Sequence, residues 1–134
     1  MADLRSKIKL LSSQPLPIAL LATLFLPLTF GAVTGLALGW SIPAYVFLLI
    51  LSVFGGVMAG YEHLTPITGF CRGACGATFF TTGVLGTHIA VGNPALVPLP
   101  EPLWILPVLN IIGGSLFGAL GGWLRGKAEF VAAQ

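Results

Sequence analysis

The chain has 134 residues, of which 56% are hydrophobic and only 7% are charged, and its formal net charge is +2. A soluble domain carries about 25% charged residues, so this composition excludes a water-soluble fold, and the small positive charge gives no indication of nucleic-acid binding. We therefore expect residues 1–134 to form one all-α integral membrane domain with the lipid bilayer as its solvent.

Four segments are long and apolar enough to cross a bilayer, which takes about 20 mostly apolar residues. They cover about residues 16–39, 43–61, 67–91 and 102–124. The basic N-terminal stretch before the first segment is typical of a signal peptide, but no small-residue cleavage site follows, so we expect the first helix to be retained. The sequence predicts a four-helix transmembrane bundle. The chain is similar to small glycine-rich four-span membrane proteins of prokaryotes.

The distribution of basic residues predicts the orientation of this bundle. Four spans place all six lysines and arginines on one side of the membrane: Arg5, Lys7, Lys9, Arg72, Arg125 and Lys127. The positive-inside rule then puts both termini in the cytoplasm, in a prokaryotic cytoplasmic (inner) membrane. Aromatic residues fit the two interfaces of this arrangement. Trp40, Tyr45 and Trp104 would mark the outer interface, and Tyr61 and Trp123 the inner one.

Glycine recurs at a spacing of four in every predicted span. The rows are Gly31, Gly35 and Gly39; Gly56 and Gly60; Gly69 and Gly73; and Gly114, Gly118 and Gly122. In lipid, small residues let helix backbones approach closely, so the rows predict glycine-rich helix packing. They could join the four helices of one subunit, or some of them could join subunits in a homo-oligomer.

Arg72 lies inside the third predicted span, about 7 Å from its start at 1.5 Å per helical residue. Ionisable residues within a membrane are costly and mark functional sites by default. Three interpretations remain open. The side chain could extend to the lipid headgroups, pair with Glu62 across the short connecting loop, or form an anion site at the cytoplasmic mouth.

The third span also carries a stripe of small polar residues on one helical face: Cys71, Cys75, Thr78 and Thr82. Cys75 and the two threonines are candidates for lining a narrow polar path. Alternatively, the hydroxyl groups bond back to carbonyl groups of their own helix.

Asn110 is the buried polar candidate of the fourth span, about 12 Å along the helix axis. Its amide needs a partner, which is either another helix or water in a path. Pro27 and Pro107 are expected to bend the first and fourth helices, because proline frees a carbonyl group and disrupts the helical turn.

The histidines and cysteines of the chain are the candidate ligands for a metal or cofactor. His88 is expected to face water near the outer end of the third span, with haem or chlorophyll ligation as the alternative. Cys71, Cys75 and His63 are ligand types that suit zinc or copper(I), but a fourth ligand is missing. We therefore predict neither a metal nor a cofactor.

Catalytic motifs are not visible in the sequence: it has no serine–histidine–acid set, phosphate loop or metal-binding motif. We therefore expect that the protein is not an enzyme. The first functional hypothesis is an oligomeric pore or a small-solute or ion transporter, motivated by Arg72, Asn110, the threonine stripe and the two prolines. The alternative is a non-catalytic accessory or assembly subunit of a larger membrane complex.

Overall fold

The computed structural model of the protein describes residues 15–132, and this part of the chain is helical with no strand. Its four helices are each long and apolar enough to cross a membrane. They are α1 (Leu16–Trp40), α2 (Ile42–Tyr61), α3 (Pro66–Val91) and α4 (Ile105–Ala132). Three of the basic residues that predict the orientation, Arg5, Lys7 and Lys9, lie outside the described residues.

Local sequence signals fix the ends of the central helices. The Ser41 and Thr65 side chains cap α2 and α3, each accepting the backbone N–H of the residue three positions later at 3.4 and 3.3 Å. Each of these helices has a proline in its first turn, where the missing N–H costs nothing. Gly92 ends α3 in the left-handed conformation, with φ of 71°, and its N–H donates to the His88 carbonyl at 3.1 Å.

Pro107 does not bend α4, and the prediction of a kink there is wrong. The helix begins at Ile105, so Pro107 lies in the first turn, where proline is tolerated. The Leu103 carbonyl, four residues before Pro107, accepts the Leu106 N–H at 3.2 Å. The preceding Glu101–Pro102 peptide bond is cis.

The fourth helix also continues to Ala132, eight residues past the predicted end. The extension carries an ion pair between Arg125 and Glu129 at 2.7 Å, one helical turn apart. Such a pair supports an exposed helix by a few tenths of a kcal/mol, about 0.2–0.5. The helix therefore extends beyond the apolar segment that the sequence pattern marked.

Pro27 acts on α1 through a local change of helix type. The turn Leu21–Phe25 is π-helical, and the N–H of Leu26 donates to the Leu21 carbonyl, five residues earlier. A proline in a helix interior clashes with the carbonyl four residues before it. The wide turn directly upstream of Pro27 gives that carbonyl room, and such π turns occur often at functional sites.

The helices are arranged around α3, against which α1 and α4 pack, while α2 packs mainly on α4. At many contacts the backbones are so close that an added Cβ would overlap a carbonyl oxygen of the neighbouring helix. This holds at Gly31, Gly35, Gly60, Gly69, Gly73 and Gly118, and also at Gly83 and Gly121, which are outside the predicted rows. Gly122 meets the carbonyl of Thr65 at the start of α3 in the same way, and Gly114 lies against the Ala77 side chain.

Two glycines of the predicted rows have different surroundings. A Cβ at Gly56 would make an ordinary contact of 3.6 Å with the Phe117 Cβ, and one at Gly39 would lie 2.9 Å from the side chain of Asn93. The first position has room for a methyl group, and the second faces the loop after α3 instead of a helix.

One end of the bundle is closed by the proline-rich loop between α3 and α4, and we call it the loop end. Ala37, Leu38 and Tyr45 form a small buried core there, against which three apolar residues of the loop pack. The Leu96 N–H donates to the Leu38 carbonyl at 3.0 Å. Tyr45 is only 8% exposed, so it belongs to this core, and its place at the outer membrane interface stays a prediction.

Candidate functional site

A half-enclosed cavity of about 510 Å³ lies between the four helices. Its floor is the close seam of α3 and α4 at Gly73 and Gly114, and the missing side chain of Gly76 leaves space beside this seam. Its walls come from α1 and α2, which meet closely at the loop end of the bundle. Large apolar residues of the wall helices, including Leu26 and Phe54, are exposed at its rim.

Arg72 reaches into this cavity from α3, about 9 Å from the start of the helix at Pro66. Its Nη1 atom lies 3.2 Å from the place where a Cβ of Gly76 would stand. The side chain therefore extends along α3 toward the middle of the helix. A side chain that reached the lipid headgroups would have to extend in the opposite direction, toward the start of α3. The absence of a side chain at Gly76 leaves room for the guanidinium group.

The Arg72 side chain lacks a partner of opposite charge in the part of the chain that the structure describes. Its buried Nε atom has no hydrogen-bond partner, and the ion pair of this part joins Arg125 to Glu129. Glu62 follows the last residue of α2 and makes no ion pair with Arg72. Arg72 as a whole is half-buried. A buried donor without a partner is costly, so the guanidinium is available to a ligand or to water.

Two further polar side chains line the cavity. Asn110 approaches from α4 and is half-buried, and within residues 15–132 its amide makes no hydrogen bond. Ser52 approaches from α2, and its hydroxyl donates to the Leu49 carbonyl at 2.7 Å. The site thus combines one permanent cation with one free amide.

The rest of the lining is apolar. It includes four phenylalanines, one from each helix: Phe30, Phe54, Phe80 and Phe117. The rings of Phe30 and Phe80 pack on each other with centroids 6.1 Å apart. Apolar walls strengthen the electrostatic attraction between the guanidinium and an anion, because they keep bulk water at a distance. The arrangement can bind a negatively charged group whose remainder is apolar.

Several predicted site residues lie outside the cavity. Thr78 and Thr82 are exposed, and their hydroxyls donate to the Ala74 and Thr78 carbonyls at 2.9 and 2.8 Å. Cys75 and His88 also do not line the cavity. The structure therefore brings together Arg72 and Asn110 of the predicted residues, and it leaves the polar stripe of α3 outside.

Metal ligands are not clustered in residues 15–132, where no group of three His, Cys, Asp or Glu residues could hold an ion. Cys71 is an exposed free thiol and Cys75 is a half-buried one. The arrangement of Cys71, Cys75 and His63 that we considered from the sequence is therefore not formed by these side chains.

The sequence reasoning missed most of the cavity lining. The spacing of Gly76 from Arg72, one helical turn, is a signal that could have been used, since a glycine there leaves room for a long side chain. The four phenylalanines carry no such signal, because aromatic residues are common on every face of an apolar helix.

Thr81, which does not line the cavity, was also missed by the sequence analysis. Its side chain is 2% exposed, and its hydroxyl has no hydrogen-bond partner among the described residues.

The fold and the cavity define a small four-helix protein of membrane-spanning composition with one arginine-bearing cavity between its helices. Comparison of the chain with known protein families, with curated proteins and with solved structures finds no match. Its function is therefore argued from the cavity itself.

Proposed function

We propose that the protein is a membrane pore or small-solute transporter in which the cavity between the helices holds the solute and Arg72 selects anions. The observation that carries this proposal is the buried Arg72 Nε, which faces the cavity without a partner. A structural arginine would be expected to have its donors satisfied. An intramembrane arginine with free donors is instead typical of a solute pathway.

The proposed orientation places Arg72 in the cytoplasmic half of the membrane. The positive-inside rule puts the end with Arg125 and Lys127 inside a prokaryotic cell. Arg72 is closer to this end of the bundle than to the loop end. The loop end, which is closed by the core around Leu38, then faces outward, so the solute would meet Arg72 from the cytoplasmic half.

We further propose that the protein forms a homo-oligomer through the outward face of α3. Thr78, Thr82 and Gly86 lie at a spacing of four and are all exposed. A Cβ at Gly86 would meet nothing within 4 Å. A smooth exposed face of small residues suits close packing by another membrane helix.

The same face supports the alternative proposal, a non-catalytic accessory subunit in a larger membrane complex. Purification in a mild detergent distinguishes the two, because an accessory subunit should co-purify with a larger protein. Recovery of a homo-oligomer alone would favour the transport proposal.

Flux through purified protein in liposomes tests the proposed function. Vesicles that contain the protein should release chloride, nitrate or small carboxylates faster than empty vesicles, while potassium release should stay at the background rate. The expected anion preference follows from the single charge in the cavity. Folded protein with no flux for any anion, or with a preference for cations, would refute the proposal.

A further inference from the structure

We infer that the cavity accepts an amphipathic organic anion, namely a single acyl chain that ends in a carboxylate. This inference rests on the proposed transport function and specifies its substrate class. The inference is based on three features of one cavity: the charge of Arg72, the free amide of Asn110 and a lining that is otherwise mostly apolar.

The charge at the cavity is suited to a carboxylate. Arg72 is the one charged residue among the described residues that line it. A guanidinium offers donors in a planar fork that matches the two oxygens of a carboxylate. The Asn110 amide offers a further donor from the neighbouring helix α4. A ligand with one negative charge would therefore balance the charge that Arg72 brings into the apolar surroundings.

The shape of the cavity is suited to an acyl chain. Its volume of about 510 Å³ is far larger than a small inorganic anion needs, and it lies in the range of about 300–1,000 Å³ that is usual for organic ligands. Apart from Arg72, Asn110 and Ser52, the lining is glycine or apolar. A hydrated inorganic ion would leave these walls in contact with water, whereas an acyl chain covers them.

The rim of the cavity gives such a ligand a route from the bilayer. Leu26, Phe54 and Met58 line the cavity and are 67%, 64% and 66% exposed. In a membrane these side chains contact lipid tails. An acyl chain could then move sideways between them while its carboxylate reaches Arg72.

A photoreactive dodecanoate with a diazirine near the end of its chain tests this inference on the full-length protein in phosphatidylcholine nanodiscs. After illumination, mass spectrometry should find the label on cavity residues of α2 and α4. Excess dodecanoate should compete with the label, and dodecanol should not. The variant Arg72→Gln should reduce cavity labelling about tenfold or more, since it removes charge-assisted hydrogen bonds.

Two further variants keep the test independent of the folding of Arg72→Gln. Gly113→Leu fills the cavity from α4, where the nearest neighbour of a new Cβ is the Phe117 ring at 4.0 Å, and it should also abolish labelling. Its control, Ala44→Leu, changes an exposed residue of α2 that lies outside the cavity, and it should leave labelling unchanged.

The outcomes separate this inference from the proposed function. Labelling that is spread over the lipid-facing surface and is indifferent to Arg72→Gln would overturn the inference. Absent cavity labelling combined with Arg72-dependent chloride flux would overturn it too and leave the transport proposal standing. Absence of both cavity labelling and anion flux would overturn both.

Discussion

Replacement of Gly118 by leucine should destabilise the bundle more than any other single change considered, by about 3 kcal/mol or more. A Cβ at this position would overlap the Gly69 carbonyl and would lie 2.9 Å from the Cα of Gly73. The Gly118 carbonyl in turn faces Gly60 of α2. Three backbones meet there, and none can move away as a flexible side chain would. Unfolding in mixed micelles, followed by circular dichroism, measures the loss.

Gly113→Leu is the matched control for Gly118→Leu, since it makes the same chemical change on the same helix. The new side chain enters the cavity with one neighbouring atom at 4.0 Å. Its stability should remain within about 0.5 kcal/mol of the wild type, as is usual away from tight packing. Equal destabilisation by the two substitutions would contradict the close approach of the helices at Gly118.

The second large effect is expected on transport: Arg72→Gln should lower anion flux in liposomes about tenfold or more. Glutamine keeps hydrogen-bonding capacity but has no charge, so the cavity loses its attraction for anions. Arg72→Lys should retain part of the flux, because it keeps a cation but not the planar fork of donors. Stopped-flow efflux with a chloride-sensitive dye provides the rates.

Stability separates this effect from misfolding. Arg72 is half-buried and its Nε lacks a partner. Its replacement by glutamine relieves part of a desolvation cost, so Arg72→Gln should unfold at the same or a higher denaturant concentration than the wild type. Arg125→Gln is the control for general charge loss, since Arg125 pairs with Glu129 outside the cavity. Wild-type flux in Arg72→Gln, or an equal loss in Arg125→Gln, would rule out selection by Arg72.

Composition and the length of the apolar segments predict the number of helices, because an apolar segment of about 20 residues is typical of a membrane-spanning helix. The helix ends are less predictable. A proline inside an apolar run, such as Pro107, predicts a kink. Whether a proline bends a helix depends on its distance from the first helical residue, and the sequence does not mark where α4 begins. The burial of Tyr45 is likewise not predictable from the sequence, because it depends on a tertiary contact with the distant loop between α3 and α4.

The candidate site was predictable in part. Arg72 and Asn110 stand out as polar groups in apolar helices, so both could be singled out from the sequence alone. The direction of the Arg72 side chain could not, since it depends on space at Gly76 and on the separation of α1 from α2. The outward position of Thr78 and Thr82 depends on which face of α3 its neighbours cover, and two polar faces of one helix look alike in sequence.

Charge-selective labelling of a cysteine in the cavity tests the central claim most directly. Gly113→Cys, in a background with Cys71→Ser and Cys75→Ser, should react with an anionic thiosulfonate reagent faster than with its cationic analogue, after each rate is normalised to a free thiol. Arg72→Gln should remove this preference. A cationic reagent that reacts as fast as the anionic one, or a preference that survives Arg72→Gln, would contradict an anion-accepting cavity at Arg72.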